Sequence, residues 1–164
     1  MTTLNAGQRL TAGVLRSALG LRARKAADTG RSSASTGTTL TADPDLTLAV
    51  LANSVYLVKF SLLYKGAATG SGDIKLSFTV PSGASLPGGF EGIANPLSVA
   101  ILPVTAASTL FSASNGTGNP LWCMVTATLV TSAAGSLTLN WAQNTSSATA
   151  TTLMAGSSVE AVSA

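Results

Sequence analysis

The chain has 164 residues, of which 46% are hydrophobic and only 9% charged, where an ordinary soluble domain carries about 25% charge. That length suits one compact domain plus an extension, and so apolar a composition excludes intrinsic disorder. There is no histidine, which removes Ser-His-Asp and Cys-His catalysis together with the commonest transition-metal ligand. The net charge of +3 hides a division. The first 31 residues hold Arg9, Arg16, Arg22, Arg24, Lys25 and Arg31 against Asp28 alone, and the remainder is slightly acidic. A basic arm on a near-neutral body reads as an attachment segment. Nucleic acid is the weaker reading of it, because no aromatic is there to stack on bases. Serine and threonine supply 43 residues. A hydroxyl-rich surface desolvates at modest cost, so self-association is expected.

Residues 1–31 read as helix and arm. Thr11 is placed to cap a short helix ending at Gly20, with Val14, Leu15, Ala18 and Leu19 on one face and Arg16 off it. So short a helix is unstable alone and needs a docking surface. Residues 32–45 read as a polar linker whose Asp43-Pro44-Asp45 marks a turn. A body over 46–164 follows, and the apolar period there becomes two. Strands are expected at 46–50, at 55–64 with Tyr56, Val58, Phe60, Leu62 and Tyr64 on one face, and at 73–80. Residues 81–95, rich in glycine and proline, read as a loop. Weaker strands at 97–102 and 107–113 are followed by strong ones at 121–131 and from 135, and a last one near 154–162. Eight strands or so, with no helix after residue 31, indicate an all-β antiparallel β-sandwich, jelly-roll-like, with a barrel as the second architecture.

No motif carries catalysis or a cofactor. Asp43 and Asp45 are the only close acids; beside a proline they read as a turn cap rather than a calcium site. The glycine-rich 66–72 lacks the Lys-Ser/Thr and helix of a phosphate loop. Cys123 is alone, on an apolar strand, and reads as a small buried hydrophobe. No disulfide framework, signal peptide or membrane-length apolar run is present, so the chain reads as made in a reducing cytosol, with no membrane partner. Trp141, Tyr56 and Tyr64 belong to apolar rows and read as core. Trp122 differs: if Cys123, Val125, Ala127 and Leu129 face inward, Trp122, Met124 and Val130 face outward. An exposed Trp-Met pair marks a contact surface for a subunit or a ligand. Asn144 and Thr145, in the hydroxyl tract after Trp141, are the other candidates for that surface.

Four stretches, LNAGQRLTAGVLRSALGL, TLTADPDLTLAVLANSVYLVKFSLLYKG, GDIKLSFTVPSGASL and LTLNWAQNTSSATATTLMAGSSVE, cover more than half the chain. Through them it resembles small structural proteins encoded among the virion genes of tailed phages and prophages of high-GC Gram-positive bacteria. WAQNTSSATATT is the most specific segment and AGQR is moderately so. Residues 86–120 match poorly, and Ser157, Ser158, Val159 and Glu160 stand where the family often has a tryptophan and a basic residue. The resemblance implies a non-enzymatic accessory virion protein, on the capsid exterior (decoration) or in the tail (minor tail protein), assembled in the host cytoplasm. Its expected partners are itself, as a homo-oligomer such as a trimer, and the major capsid or tail proteins. The expected attachment residues are Arg9, Val14, Leu15, Arg16, Leu19, Arg22 and Arg24. A carbohydrate- or cell-surface-binding module is the alternative, with 82–96 and 114–120 as loops that would display a receptor site for a host surface glycan.

Overall fold

A strand whose alternate residues are apolar buries one face, and two such sheets stacked face to face share one core. The computed structural model describes residues 20–34, 37–66, 74–95, 98–113 and 118–164. Among these residues the secondary structure is all β. The strands are β1 (Leu21–Arg24), β2 (Thr29–Arg31), β3 (Thr41–Val50), β4 (Ser54–Lys65), β5 (Ile74–Thr79), β6 (Gly88–Asn95), β7 (Ser98–Val104), β8 (Leu110–Ser112), β9 (Leu121–Thr131), β10 (Gly135–Gln143), β11 (Thr151–Leu153) and β12 (Ser158–Ser163).

Every pairing is antiparallel. One sheet has eight strands, in the order β1-β12-β4-β9-β6-β7, with β11 joining β4 to β2. The other has four, in the order β3-β10-β5-β8. The inward rows of both meet in one cluster: Tyr56, Val58, Phe60, Leu62 and Tyr64 of β4 and Cys123, Val125 and Leu129 of β9 face Leu48, Leu76, Phe78, Leu137, Leu139 and Trp141. Phe60 and Phe78 touch across the sheets with ring centroids 5.1 Å apart. Each such side chain contributes about 1.5–3 kcal/mol by leaving water. β3 and β4 are joined by a tight turn with Asn53 in the left-handed region at φ 50°, which asparagine tolerates.

The expected organisation is corrected in three places. The body does not begin at residue 46. β1 and β2 pair within the eight-stranded sheet, and β3 starts at Thr41, so the expected arm and linker both supply strands. Residues 81–95 are not one loop either, since β6 pairs with β9 and β7 over Gly88–Asn95. Glycine hid its alternation. A Cβ at Gly88 would lie 2.3 Å from the Thr126 carbonyl oxygen, and one at Gly92 would lie 2.3 Å from the Phe90 ring. At Gly88 the obstacle is the β9 backbone, and at Gly92 the Phe90 ring would have to move, so glycine stands where an apolar residue would otherwise mark the row. Third, the strand expected near 154–162 begins only at Ser158, as β12, and a separate short strand, β11, precedes it over Thr151–Leu153. The helix expected over Thr11–Leu19 lies outside the described residues.

Candidate functional site: the outer face of the eight-stranded sheet

The charged groups divide into those the fold consumes and those it leaves outside. Lys25, just after β1, is buried, and its ammonium donates to Asp43 Oδ2 at 2.8 Å and to Asp45 Oδ2 at 3.3 Å. Asp43 reaches the interior because register slips between Thr138 and Asn140, where residues 43–46 of β3 stand against the single residue Leu139 of β10. Such a bulge re-aims side chains, and Pro44 is tolerated because β3 is an edge strand. Asp43 Oδ1 accepts from the amides of Asp45 at 3.0 Å and Leu46 at 3.2 Å, and Oδ2 also accepts from Trp141 Nε1 at 3.1 Å. The turn cap read from sequence is therefore one of three duties of this carboxylate.

Arg31, at the end of β2, lays its guanidinium 4.0 Å from the Trp141 ring centroid and donates to the carbonyls of Thr41 at 3.0 Å and of Trp141. Burial pushes the Arg31 pKa down, while the charge of Asp43 pulls it back up. Lys25 and Arg31 thus belong to the eight-stranded sheet, and Asp43 and Trp141 to the four-stranded one. The cluster bolts the sheets together at one corner. A carboxylate committed to four donors has no free lone pair for proton transfer in a cleft. Cys123 is fully buried, and that burial pushes its thiol from 9.0 up to about 12, as in an inert structural cysteine. No group of three or more His, Cys, Asp and Glu among the described residues is arranged to hold a metal.

The outward row of the eight-stranded sheet is where the polarity inverts. Trp122 is 49% exposed and stands opposite Leu63, itself 39% exposed; Met124, half-buried, stands opposite Ser61. The outward placement of Trp122, Met124 and Val130 expected from sequence is what the structure has. Two shallow hollows flank the Trp122 indole. The first, about 370 Å³, is lined by Leu63, Glu91, Gly92, Ile93, Pro120, Leu121 and Trp122, a size in the range of small-ligand sites. The second, about 360 Å³, lies between Lys59, Ser61, Met124 and Gly156. A third, about 380 Å³, continues the face to Arg22, Arg24 and Glu160. The walls are largely apolar, with the carboxylates of Glu91 and Glu160 and the cations Lys59, Arg22 and Arg24 around them.

The expected site residues separate on this map. Trp122 and Met124 come together. Arg22 and Arg24 point outward from β1 on the same sheet, and Arg22 makes an exposed ion pair with Glu160 at 3.5 Å. Arg9, Val14, Leu15, Arg16 and Leu19 lie outside the described residues. Asn144 and Thr145 occupy the loop between β10 and β11 and line none of the three hollows. That loop is pinned to the body by buried Gln143, which donates to the Thr149 carbonyl at 2.8 Å and accepts from the Ser147 amide at 3.2 Å. The 82–96 stretch divides: Ser132 Oγ donates to the Ser82 carbonyl at 3.2 Å at one end of β9, whereas Glu91, Ile93 and Pro120 meet near Trp122 at the other. Leu63 and Glu91 were not among the residues expected at this surface. Leu63 was visible as the outward neighbour of Trp122 only once the β4–β9 register was known.

No family model and no curated protein matches this chain. Similar solved structures include infectious bursal disease virus Gx strain, at 9% identity over 88% of this chain and 40% of that one with a TM-score of 0.21. The Gt strain of the same virus matches at 11% identity over 87% of this chain and 42% of that one, TM-score 0.20. This chain spans about two-fifths of the length of the virus chains it matches, and similarity at this level carries no functional information.

Proposed function

We propose that this chain is a non-enzymatic structural component of a tailed-phage virion, an accessory protein of the capsid exterior or the tail that self-associates and is anchored by its N-terminal segment. The observation that carries the reading is an uncovered apolar face on a sandwich wired in a particular order. Counting β3 to β10 as first to eighth, the four-stranded sheet runs first-eighth-third-sixth, and the matching part of the larger sheet runs second-seventh-fourth-fifth. That order is compatible with a jelly roll, an architecture of viral capsid and lectin domains, and it supports the reading. Fold alone does not fix function; the sequence resemblance supplies the virion setting and the Trp122 face supplies a surface to assemble through.

The anchoring role is tested by deleting residues 1–19, not 1–31, because Lys25 and Arg31 hold the body together. The truncated chain should keep its near-ultraviolet circular dichroism and be missing from purified particles. Normal incorporation would refute anchoring. The lectin side of the jelly-roll class gives a second reading, a glycan site, favoured by the hollow between Trp122 and Glu91. Binding on a glycan array that disappears in Trp122→Ala would establish it.

A further inference from the structure

The outer face of the eight-stranded sheet is apolar at both ends and polar between, where Lys59 stands opposite Thr126 and Glu160. The end away from Trp122 is built by Val55 and Leu57 of β4, Val130 of β9 and Val162 of β12, between 39% and 57% exposed. Register makes them one patch, with Val55 opposite Val130 and Leu57 opposite Val162. The chain enters the sheet at this patch. Leu21 pairs with Ala161, so Gly20 lies beside Val162, and a Cβ on Gly20 would sit 3.3 Å from Val162 Cγ2. Gly20 has φ +73°, a conformation glycine adopts without strain, so the backbone can turn sharply where it leaves the sheet. The 19 residues before it carry the apolar stripe of Val14, Leu15, Ala18 and Leu19. Crossing from β12 to β9 takes two inter-strand spacings, roughly 10 Å, a span that three or so extended residues cover.

We propose that residues 1–19 fold back over the body of their own chain and seat this stripe on Val55, Leu57, Val130 and Val162. The apolar residues are then turned to the body, and Arg9 and Arg16 remain outside for charge contacts. The inference rests on the entry point of the chain and the patch beside it, and it stands whether or not the protein belongs to a virion.

Two measurements on the full-length chain test it. In a Leu15→Cys/Leu57→Cys variant, mild oxidation of mixed isotope-labelled and unlabelled chains should give disulfides within single chains. Disulfides between chains, or none, would overturn the proposal. Separately, Val55→Thr/Leu57→Thr/Val130→Thr/Val162→Thr, which keeps strand-compatible residues, should speed tryptic cleavage after Arg16 about tenfold, the mark of roughly 1.4 kcal/mol lost from a closed state. Phe111→Ser, at an exposed apolar residue of the other sheet, should leave that rate unchanged. Equal cleavage in wild type and the fourfold variant would overturn the proposal; if that variant does not fold, the cysteine pair decides alone.

Discussion

The chain's two tryptophans have opposite surroundings. Trp141 is wholly buried, its ring under the Arg31 guanidinium and its N–H on Asp43. Trp122 is half in water, between two hollows walled by leucine, isoleucine and methionine. Charge lies inside at one site, and an aromatic lies outside at the other. A buried charge cluster is stable only when each partner is satisfied, and among the described residues no buried side-chain polar atom lacks a partner. The inside inversion is thus structural and self-contained. The outside one is unsatisfied by anything in the described body, and the proposed contact surface lies there.

Breaking the inner site should have the largest effect. Asp43→Ala removes the acceptor of Lys25, Trp141 and two backbone amides together, and should cost about 3–5 kcal/mol in urea unfolding. Lys25→Met should cost clearly less, because Asp43 keeps its three other donors; equal losses would contradict that ranking. The neighbour of Trp122 on the same strand gives a smaller, pH-dependent effect. Folding holds the Cys123 thiol protonated to about 12 against 9.0. Its contribution to stability is therefore whole below pH 9 and is lost as pH rises toward 12. The slope there is up to about 1.4 kcal/mol per pH unit, and it should be missing from Cys123→Ala in unfolding curves taken at pH 9 and 10.5. Trp141→Phe keeps the ring for Arg31 but leaves Asp43 one donor short, and should cost about 1–2 kcal/mol. Trp122→Ser should change stability least, by less than about 1 kcal/mol, yet reduce self-association in native mass spectrometry. A large stability loss there would make Trp122 a packing residue.

Much of this was legible in the sequence where side chains alternate without interruption. β4, β5, β9 and β10 follow from their apolar rows, and the outward position of Trp122 follows from its parity with Cys123. β6 was illegible because glycines stand where an apolar residue would otherwise mark the row, against the backbone of β9 at Gly88 and the Phe90 ring at Gly92. β1 and β2 were illegible because they are short and cationic, and because the acid that justifies burying Lys25 lies 18 residues on, inside a bulge that no local pattern announces. The hollow beside Trp122 depends on that same unrecognised β6, which brings in Glu91 and Ile93.

The Trp122 end of this outer face is proposed above as a contact surface in an assembled particle. Cryo-electron microscopy of intact particles tests it most directly. Ordered density for this sandwich is expected on the capsid exterior or tail, with Trp122 and Leu63 buried against a second copy or a neighbouring virion protein. Particles without the chain, or a bound chain whose Trp122 face looks into solvent, would contradict it.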